Sequence, residues 1–526
     1  MTARPEADTV DARVTRAALV TSLVTALSRV IGFGRVLVVS AILGTTYLGN
    51  TYLGANSLSN VAFELLAAGA LSAVLVPTFV RMLARSDTET LRRLVGGLTT
   101  VVALGLGAVS VLAILAAPRI GRALANGAPD ASTAAAQREL GTFLVRWFAP
   151  QIVLYGLGAI AAAVLHARRR FALVAAAPIA STIVMVIALV GFRSAAGSRP
   201  GLVLDPADRW WLAAAGTGGV IGFVGILLLG AARAGVVVVP RSIRRAEGLR
   251  ELLGHSGWGV LLHSIAGGLL GVAILRGNAV EGGVVAYQAA FVFFLAPYAI
   301  LAQPLQSAML PELSEAVDAR RATRDLGWAA RRTVLLTAPV AALLVALAAP
   351  AMGVLAVGEI DRAGVTLIAG ALAGLGAGLV PYCLFLLFAR AHYAAGDSRT
   401  PAIAAFVGMI VGGAAMIVGT EASAGTAAIA WLGLGHSIGY LVAAGLLAAT
   451  LVRAGNLWAG DLRSCVPAAV GALAVGVGAW LATRSIDATS PVEAAGVAGV
   501  AGAIALGVYV ATVGRSGRPV DLGDSA

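Results

Sequence analysis

The stretch "ALSRVIGFGR", residues 26–35, sets two arginines, Arg29 and Arg35, inside an apolar run from Ala17 to Gly44. The chemistry a guanidinium offers is binding: a planar fork of N–H donors suited to carboxylate or phosphate oxygens. At a bilayer centre each arginine costs at least about 2.5–3.5 kcal/mol, so it persists where it faces water, a partner or a substrate. On a straight helix the two project about 120° apart and about 9 Å along the axis. Gly32 and Gly34 lie between them, and glycines let a span bend or unwind around a cavity. Two readings stand side by side. In one, Arg29 snorkels or both arginines pair with helix carbonyls; in the other, they line a shared cationic cavity. Glu64 is the only carboxylate expected well inside the membrane in the first half of the chain. It is expected to pair with Arg29 or Arg35, because an unpaired charge there is very costly. A fixed ion pair and a substrate-releasable switch are both open.

Other polar residues have plainer readings. Arg146, beside Trp147, reads as an interfacial anchor, and Arg276, at the outer end of its span, as an anchor or an outer gate. His255, His263 and His436 show no metal spacing and read as hydrogen-bonded helix residues; no metal site is expected. Cys383 and Cys465 lie far apart in apolar runs and read as small core residues. "GDSRTP" (396–401) reads as a turn and structural hinge formed by Gly396, Asp397, Arg399, Thr400 and Pro401. Pro401 starts the next helix, Thr400 can cap it, and Asp397 can hold Arg399 or the following amides. No Ser/His/Asp or Cys/His arrangement and no paired carboxylates suggest bond-breaking, so an enzyme is not expected. All 38 basic residues are arginine. Without lysine there is no Walker A loop, kinase strand lysine or pyridoxal Schiff base. No cofactor is expected.

The elements that must position these residues are membrane spans. The 526 residues are 59% hydrophobic and 12% charged, with mean hydropathy +0.89; soluble chains carry about twice that charge. The 65 glycines suit helices that approach closely or bend. Residues 1–16 mix acids and arginines, and the run after them is too long for a signal-peptide core. Apolar runs of about 20 residues predict fourteen spans, near 17–44, 56–80, 95–117, 140–165, 171–192, 211–232, 255–275, 282–308, 333–356, 364–389, 401–420, 426–452, 464–483 and 491–514. The connections at 81–93, 166–170, 233–250, 312–332, 390–399 and 453–463 hold 4, 3, 5, 5, 2 and 2 arginines. The intervening connections hold fewer on the whole, 45–55 having none and 118–139 three. By the positive-inside rule both termini are cytoplasmic. The net charge of +12 is thus a topology signal, with anionic lipid headgroups as partners and no nucleic acid needed.

The expected architecture is an all-α polytopic membrane protein. A cytoplasmic tail (1–16) precedes a six-helix N-lobe (17–232), an amphipathic linker helix within 233–254 and a six-helix C-lobe (255–452). Two further helices (464–514) and a cytoplasmic tail (515–526) follow. Weak echoes join the halves: "LSAVLVPTFVRML" (71–83) with "LQSAMLPELSEAV" (305–317), and "HARRRFALVAAAPIA" (166–180) with "HYAAGDSRTPAIAA" (392–405). Such parallel duplication is common in secondary transporters.

These segments resemble the MurJ/MviN family, the lipid II flippases of the multidrug/oligosaccharidyl-lipid/polysaccharide exporter superfamily. Ser28, Arg29, Gly32, Phe33 and Arg35 match its first-span signature, S-R-hydrophobic-x-G-F-x-R. "AAGALSAVLVPTF" (67–79), "HARRRFALVAAAPI" and "ARAHYAAGDSRTPA" (389–402) are similar to three further motifs, in order and at the matching spans. The chain departs from the pattern elsewhere. Phe63 and Glu64 stand where the family places an arginine pair, Asn50 where it has an aspartate, and Val292 where it often has an arginine. The acidic sodium site of some relatives has no counterpart in spans 7 or 11. The resemblance implies flipping of an undecaprenyl-diphosphate-linked peptidoglycan precursor across the bacterial plasma membrane by alternating access. It further implies that Arg29 and Arg35 hold the diphosphate and that 464–514 offer a groove for the lipid tail. Glu64, as a releasable partner, and Arg276, as an outer gate, are the further candidate substrate residues read from the sequence itself. Cell-wall synthesis machinery is a further expected partner. A polysaccharide-repeat lipid flippase, a multidrug antiporter and a non-transporting cell-wall scaffold are the alternatives.

Overall fold

The computed structural model describes residues 24, 27, 31, 32, 34–63, 69–84, 87–197, 200–243, 257–307, 319–353, 359–484 and 490–516. Every regular element among them is helical. Ten helices are long and apolar enough to cross a membrane, and an eleventh counts if the pair Arg362–Gly376 and Leu379–Ala394, bent by 46°, is one span. Expected spans 1, 2 and 7 fall on shorter described apolar helices, Gly34–Leu43, Leu75–Ala84 and Ile265–Gly277. Large apolar side chains such as Leu104, Leu112, Leu115 and Ile187 stay exposed on the long helices, the outward face that lipid rather than protein covers.

The chain divides into two compact units, Met1–Leu43 with Tyr47–His263, and Gly44–Thr46 with Ser264–Ala526. The first contains α1 (Gly34–Leu43), α2 (Tyr47–Phe63), α3 (Gly69–Ala84), α4 (Thr88–Leu124), α5 (Ala131–Phe148), α6 (Gln151–Ala167), α7 (Phe171–Ala196), α8 (Pro206–Ala213) and α9 (Gly219–Arg233). Asp87 starts α4 by accepting from the Thr90 amide at 2.9 Å, and Asp130 starts α5 through the Thr133 amide at 2.8 Å, each satisfying an otherwise orphaned donor. Leu75, Phe79, Leu91, Leu98, Ile160 and Leu227 form the centre of its apolar core. A single π-turn, Ala214–Gly218, separates α8 from α9.

The stretch leading into the expected linker helix is described as far as Ile243. Val236–Arg241 is not helical. Instead Arg241 docks on α4: its amide donates to Gly96 O at 3.0 Å, and Thr100 Oγ1 donates to its carbonyl at 2.7 Å. Gly96 leaves the room, since a Cβ there would collide with the Arg241 side chain. Residues 244–254 lie outside the described residues.

The second unit contains α10 (Gly257–Gly277), α11 (Gly283–Pro297), α12 (Ala319–Ala346), α13 (Ala348–Met352), α14 (Arg362–Gly376), α15 (Leu379–Ala394), α16 (Arg399–Glu421), α17 (Gly425–Arg453), α18 (Ala459–Arg463), α19 (Val466–Arg484) and α20 (Pro491–Ser516). A second π-turn, Tyr298–Ala302, follows α11. The expected span 333–356 sits earlier than its apolar run suggests. Its helix α12 starts at Ala319 and breaks at Leu347, because the arginine-rich approach is itself helix-forming. Three helices, α14, α16 and α17, meet through glycine. A Cβ on Gly412 would come within 2.7 Å of Gly435 O, one on Gly439 within 2.8 Å of Gly408 O, and one on Gly433 would strike Ala371 O. Ser437 Oγ donates to Gly374 O at 2.7 Å across the same seam. Backbone meets backbone here, the packing mode that membrane helices use in place of a hydrophobic drive.

Candidate functional site

In the first unit Arg35 is the described cation of the first expected span, half-buried on α1. Its guanidinium lies within electrostatic reach of the phenols of Tyr52 on α2 and Tyr155 on α6. Tyr52 is itself fully buried and stacks edge-on against Phe148, with ring centroids 5.7 Å apart. Among the described residues no carboxylate stands within ion-pair distance of Arg35. Arg29 and Glu64 lie outside the described residues, and so does their expected pairing. Among the described residues nothing lies within 4 Å of where a Cβ of Gly32 or Gly34 would stand.

The first unit also buries neutral polar groups. Asn50, Thr51, Ser57 and Ser59 are buried on α2. Gln137 Nε2 approaches Thr51 Oγ1 at 3.4 Å, and Ser59 Oγ donates to Phe148 O at 2.8 Å. Gln151 Nε2 donates to Thr217 Oγ1 at 3.2 Å, which in turn donates to Trp147 O at 2.6 Å. Arg146 is exposed beside Trp147, whose ring meets Trp210 at 4.4 Å, the aromatic grouping of a membrane interface.

In the second unit Arg276 ends α10 and reaches α16. Its Nε donates to Thr420 Oγ1 at 2.9 Å and its Nη2 stands 3.4 Å from Glu421 Oε1. This tie joins two helix ends. The "GDSRTP" turn is built from Asp397 rather than Thr400. Gly396 takes φ +77°, a conformation natural to glycine. Asp397 Oδ1 then accepts from the amides of Arg399 and Thr400, both at 3.0 Å, so α16 starts at Arg399 with Pro401 in its first turn. Thr400, expected as the cap, is a donor to it. Burial pushes the Asp397 carboxyl up, and the Thr400 and Arg399 hydrogen bonds with the nearby His392 outweigh that and hold it below the ordinary carboxylate range. His392 bridges its Nδ1 to Asp397 Oδ2 at 3.2 Å and its Nε2 to Thr450 Oγ1 at 3.1 Å, tying α15, the turn and α17 together.

Two constellations escaped sequence reading. His436, buried on α17, meets Tyr287 OH at 2.8 Å through Nδ1 and is ringed by Phe291, Phe294 and Tyr440. Arg390, which counts in the sequence only as topology charge, lies within α15 and donates to Gln306 Oε1 at 2.7 Å and Tyr298 OH at 3.3 Å. Both partners come from the helix before a long connection, a pairing that no local spacing announces.

The comparisons with known proteins agree with one another. A model of the family described as "Lipid II flippase MurJ" matches residues 39–493. A lipid II flippase MurJ of Burkholderia cenocepacia is 29% identical over 395 residues, 73% of this chain and 74% of that protein. Among solved structures, a lipid II flippase MurJ in an inward closed conformation superposes with a TM-score of 0.74 at 17% identity, covering 94% of this chain and 99% of that one. An inward-facing multidrug resistance MATE family transporter of the MOP superfamily follows at TM-score 0.61 and 14% identity, covering 84% and 98%. Those two likenesses speak to the fold, which the superfamily shares. The family match runs from the last turns of α1 to the first of α20 and so takes in both units: the chain belongs to the lipid II flippase MurJ family.

Proposed function

We propose that this chain moves an undecaprenyl-diphosphate-linked peptidoglycan precursor, lipid II, from the inner to the outer leaflet of a bacterial plasma membrane by alternating access. The family match over residues 39–493 carries the reading. In this proposal fourteen spans form two six-helix lobes and a C-terminal hairpin, with both termini cytoplasmic. Arg29 and Arg35 hold the diphosphate, Glu64 is their releasable partner, and residues 464–514 shelter the lipid tail. Anionic lipids flank the arginine-rich connections, and cell-wall synthesis enzymes are the neighbours that take the product.

A fold shared with drug antiporters leaves cargo open, so charge is what separates the readings. A cavity for cationic drugs calls for acids. Here the described charge of the first expected span, Arg35, has no carboxylate within ion-pair distance among the described residues, which suits an anionic cargo. The test is complementation of a strain depleted of its own lipid II flippase, read with leaflet accessibility of lipid II and membrane abundance of the chain. Restored growth with restored flipping is expected. Normal abundance without flipping overturns the proposal and leaves a scaffold or another lipid-linked cargo.

A further inference from the structure

Arg390 lies one turn before the end of α15 and is half-buried. An arginine that merely anchors a helix end reaches outward to headgroups; this one turns inward. Its Nη1 donates to Oε1 of Gln306, a residue 1% exposed. The Gln306 amide has no freedom to turn away, because its nitrogen donates to Cys383 O at 2.9 Å on the same helix as the arginine. The second partner is the Tyr298 hydroxyl, on the π-turn after α11. Both partners are neutral. Among the described residues no carboxylate stands within ion-pair distance of Arg390. Among the described residues the guanidinium is thus oriented without being neutralised.

The donor count says what would neutralise it. A guanidinium has five N–H groups, and two are engaged here. Accepting from Arg390 leaves the Tyr298 hydroxyl its own proton to give. Among the described residues the open valences are thus all donors, three N–H and one O–H, contributed by two helices. A metal ion or a cationic ligand finds no acceptor among them. An oxyanion with several equivalent oxygens fits, and a phosphate meets a guanidinium in the same forked geometry. Tyr382 extends the surface, its ring 5.2 Å from that of Tyr298, and it too is only half-buried. In the expected topology the end of α15 lies at the level of the cytoplasmic lipid headgroups.

We propose that Arg390, oriented by Gln306 and aided by the Tyr298 hydroxyl, binds the phosphate of a lipid headgroup within the second unit. The inference rests on the flippase reading for its physiological ligand, since polyprenyl diphosphate cargo and resident phosphatidylglycerol share this chemistry. The test uses the full chain in phosphatidylcholine nanodiscs, with undecaprenyl diphosphate, phosphatidylglycerol and phosphate-free undecaprenol as probes. Arg390→Gln is expected to weaken the phosphate-bearing probes about tenfold or more, the loss of a charged hydrogen bond. Undecaprenol binding is expected to stay unchanged. Loss confined to the diphosphate identifies the cargo as ligand, and loss that includes phosphatidylglycerol identifies a resident lipid. Unaltered binding of both by a folded variant overturns the proposal. If Arg390→Gln does not reach the membrane, Gln306→Glu keeps the arginine and supplies the missing carboxylate. It is expected to weaken the same probes, and full binding by it overturns the proposal equally. Arg390-dependent binding in a chain that fails to complement would sink the flippase reading and leave this site standing. Complementation by a chain whose binding ignores Arg390 would do the reverse.

Discussion

Arg35 has no carboxylate within ion-pair distance among the described residues, and this governs how its substitutions should behave. If it holds a diphosphate, Arg35→Lys keeps charge and loses the planar fork, so function should fall while abundance holds. Arg35→Ala should abolish flipping with the protein still in the membrane. An abundance loss matching the activity loss would make it a fold-holding group instead. Complementation beside membrane quantification reads both. Asp397 makes a prediction about pH. Its folded-state pKa is lowered, so its contribution to the turn is complete above the ordinary carboxylate range and is lost as pH falls through the lowered value. Asp397→Asn should flatten that acid-side decline in melting temperature and lower stability at neutral pH by about 1 kcal/mol, the worth of a cap. An unchanged profile would show that the turn does not depend on the carboxylate. What the sequence told at this scale was residue type and local spacing. The turn at 396–401 was legible because its partners lie within four residues. Arg390 was not, since Gln306 and Tyr298 stand 84 and 92 residues away.

Helices here are held by two contrasting devices. One is the glycine seam of α14, α16 and α17. Adding bulk there forces backbones apart, and Gly412→Val should cost about 1–3 kcal/mol through overpacking, read as a lower melting temperature in detergent. The same change at Gly445, which has open space around it, serves as the control and should cost far less. Equal losses would mean that the seam is not close-packed. The other device is a charge latch. Asp461 on α18 is 7% exposed and accepts from Arg331 Nη1 of α12 at 3.0 Å, tying the start of the last hairpin to the ninth expected span. Removing the arginine strands a buried carboxylate, so Arg331→Ala should destabilise more than Asp461→Asn, and the double variant less than their sum. Strict additivity in thermal melts would rule the latch out. Apolar periodicity marked where nearly every helix lies, because hydrocarbon length is a constraint on composition alone. It placed the start of α12 too late, since the arginine-rich approach forms helix without being apolar.

For the whole molecule, orientation is the property that charge bias predicts and that accessibility can test. Single cysteines at Ser398 and Arg463, both exposed, should label from the cytoplasm in a background lacking Cys383 and Cys465. Asn126, exposed between α4 and α5, should label from outside. Reversal at two of the three would defeat the fourteen-span topology. Asn50 is unsuitable as a reporter because it is 1% exposed. The glycine seam has a consequence for how such a molecule stores and transmits work. Side chains cushion most helix contacts, and rotamer changes let them creep. Where carbonyl meets Cα directly there is no such cushion, so the three helices tolerate neither sliding nor gradual shear. A load applied at one end of that slab arrives at the other undiminished, and compliance must reside in its margins: the π-turn at Tyr298–Ala302 and the 46° bend before Leu379. The same stiffness limits mutational drift. Lipid-facing leucines can exchange freely for other apolar residues, whereas the seam admits almost nothing larger than a hydrogen atom.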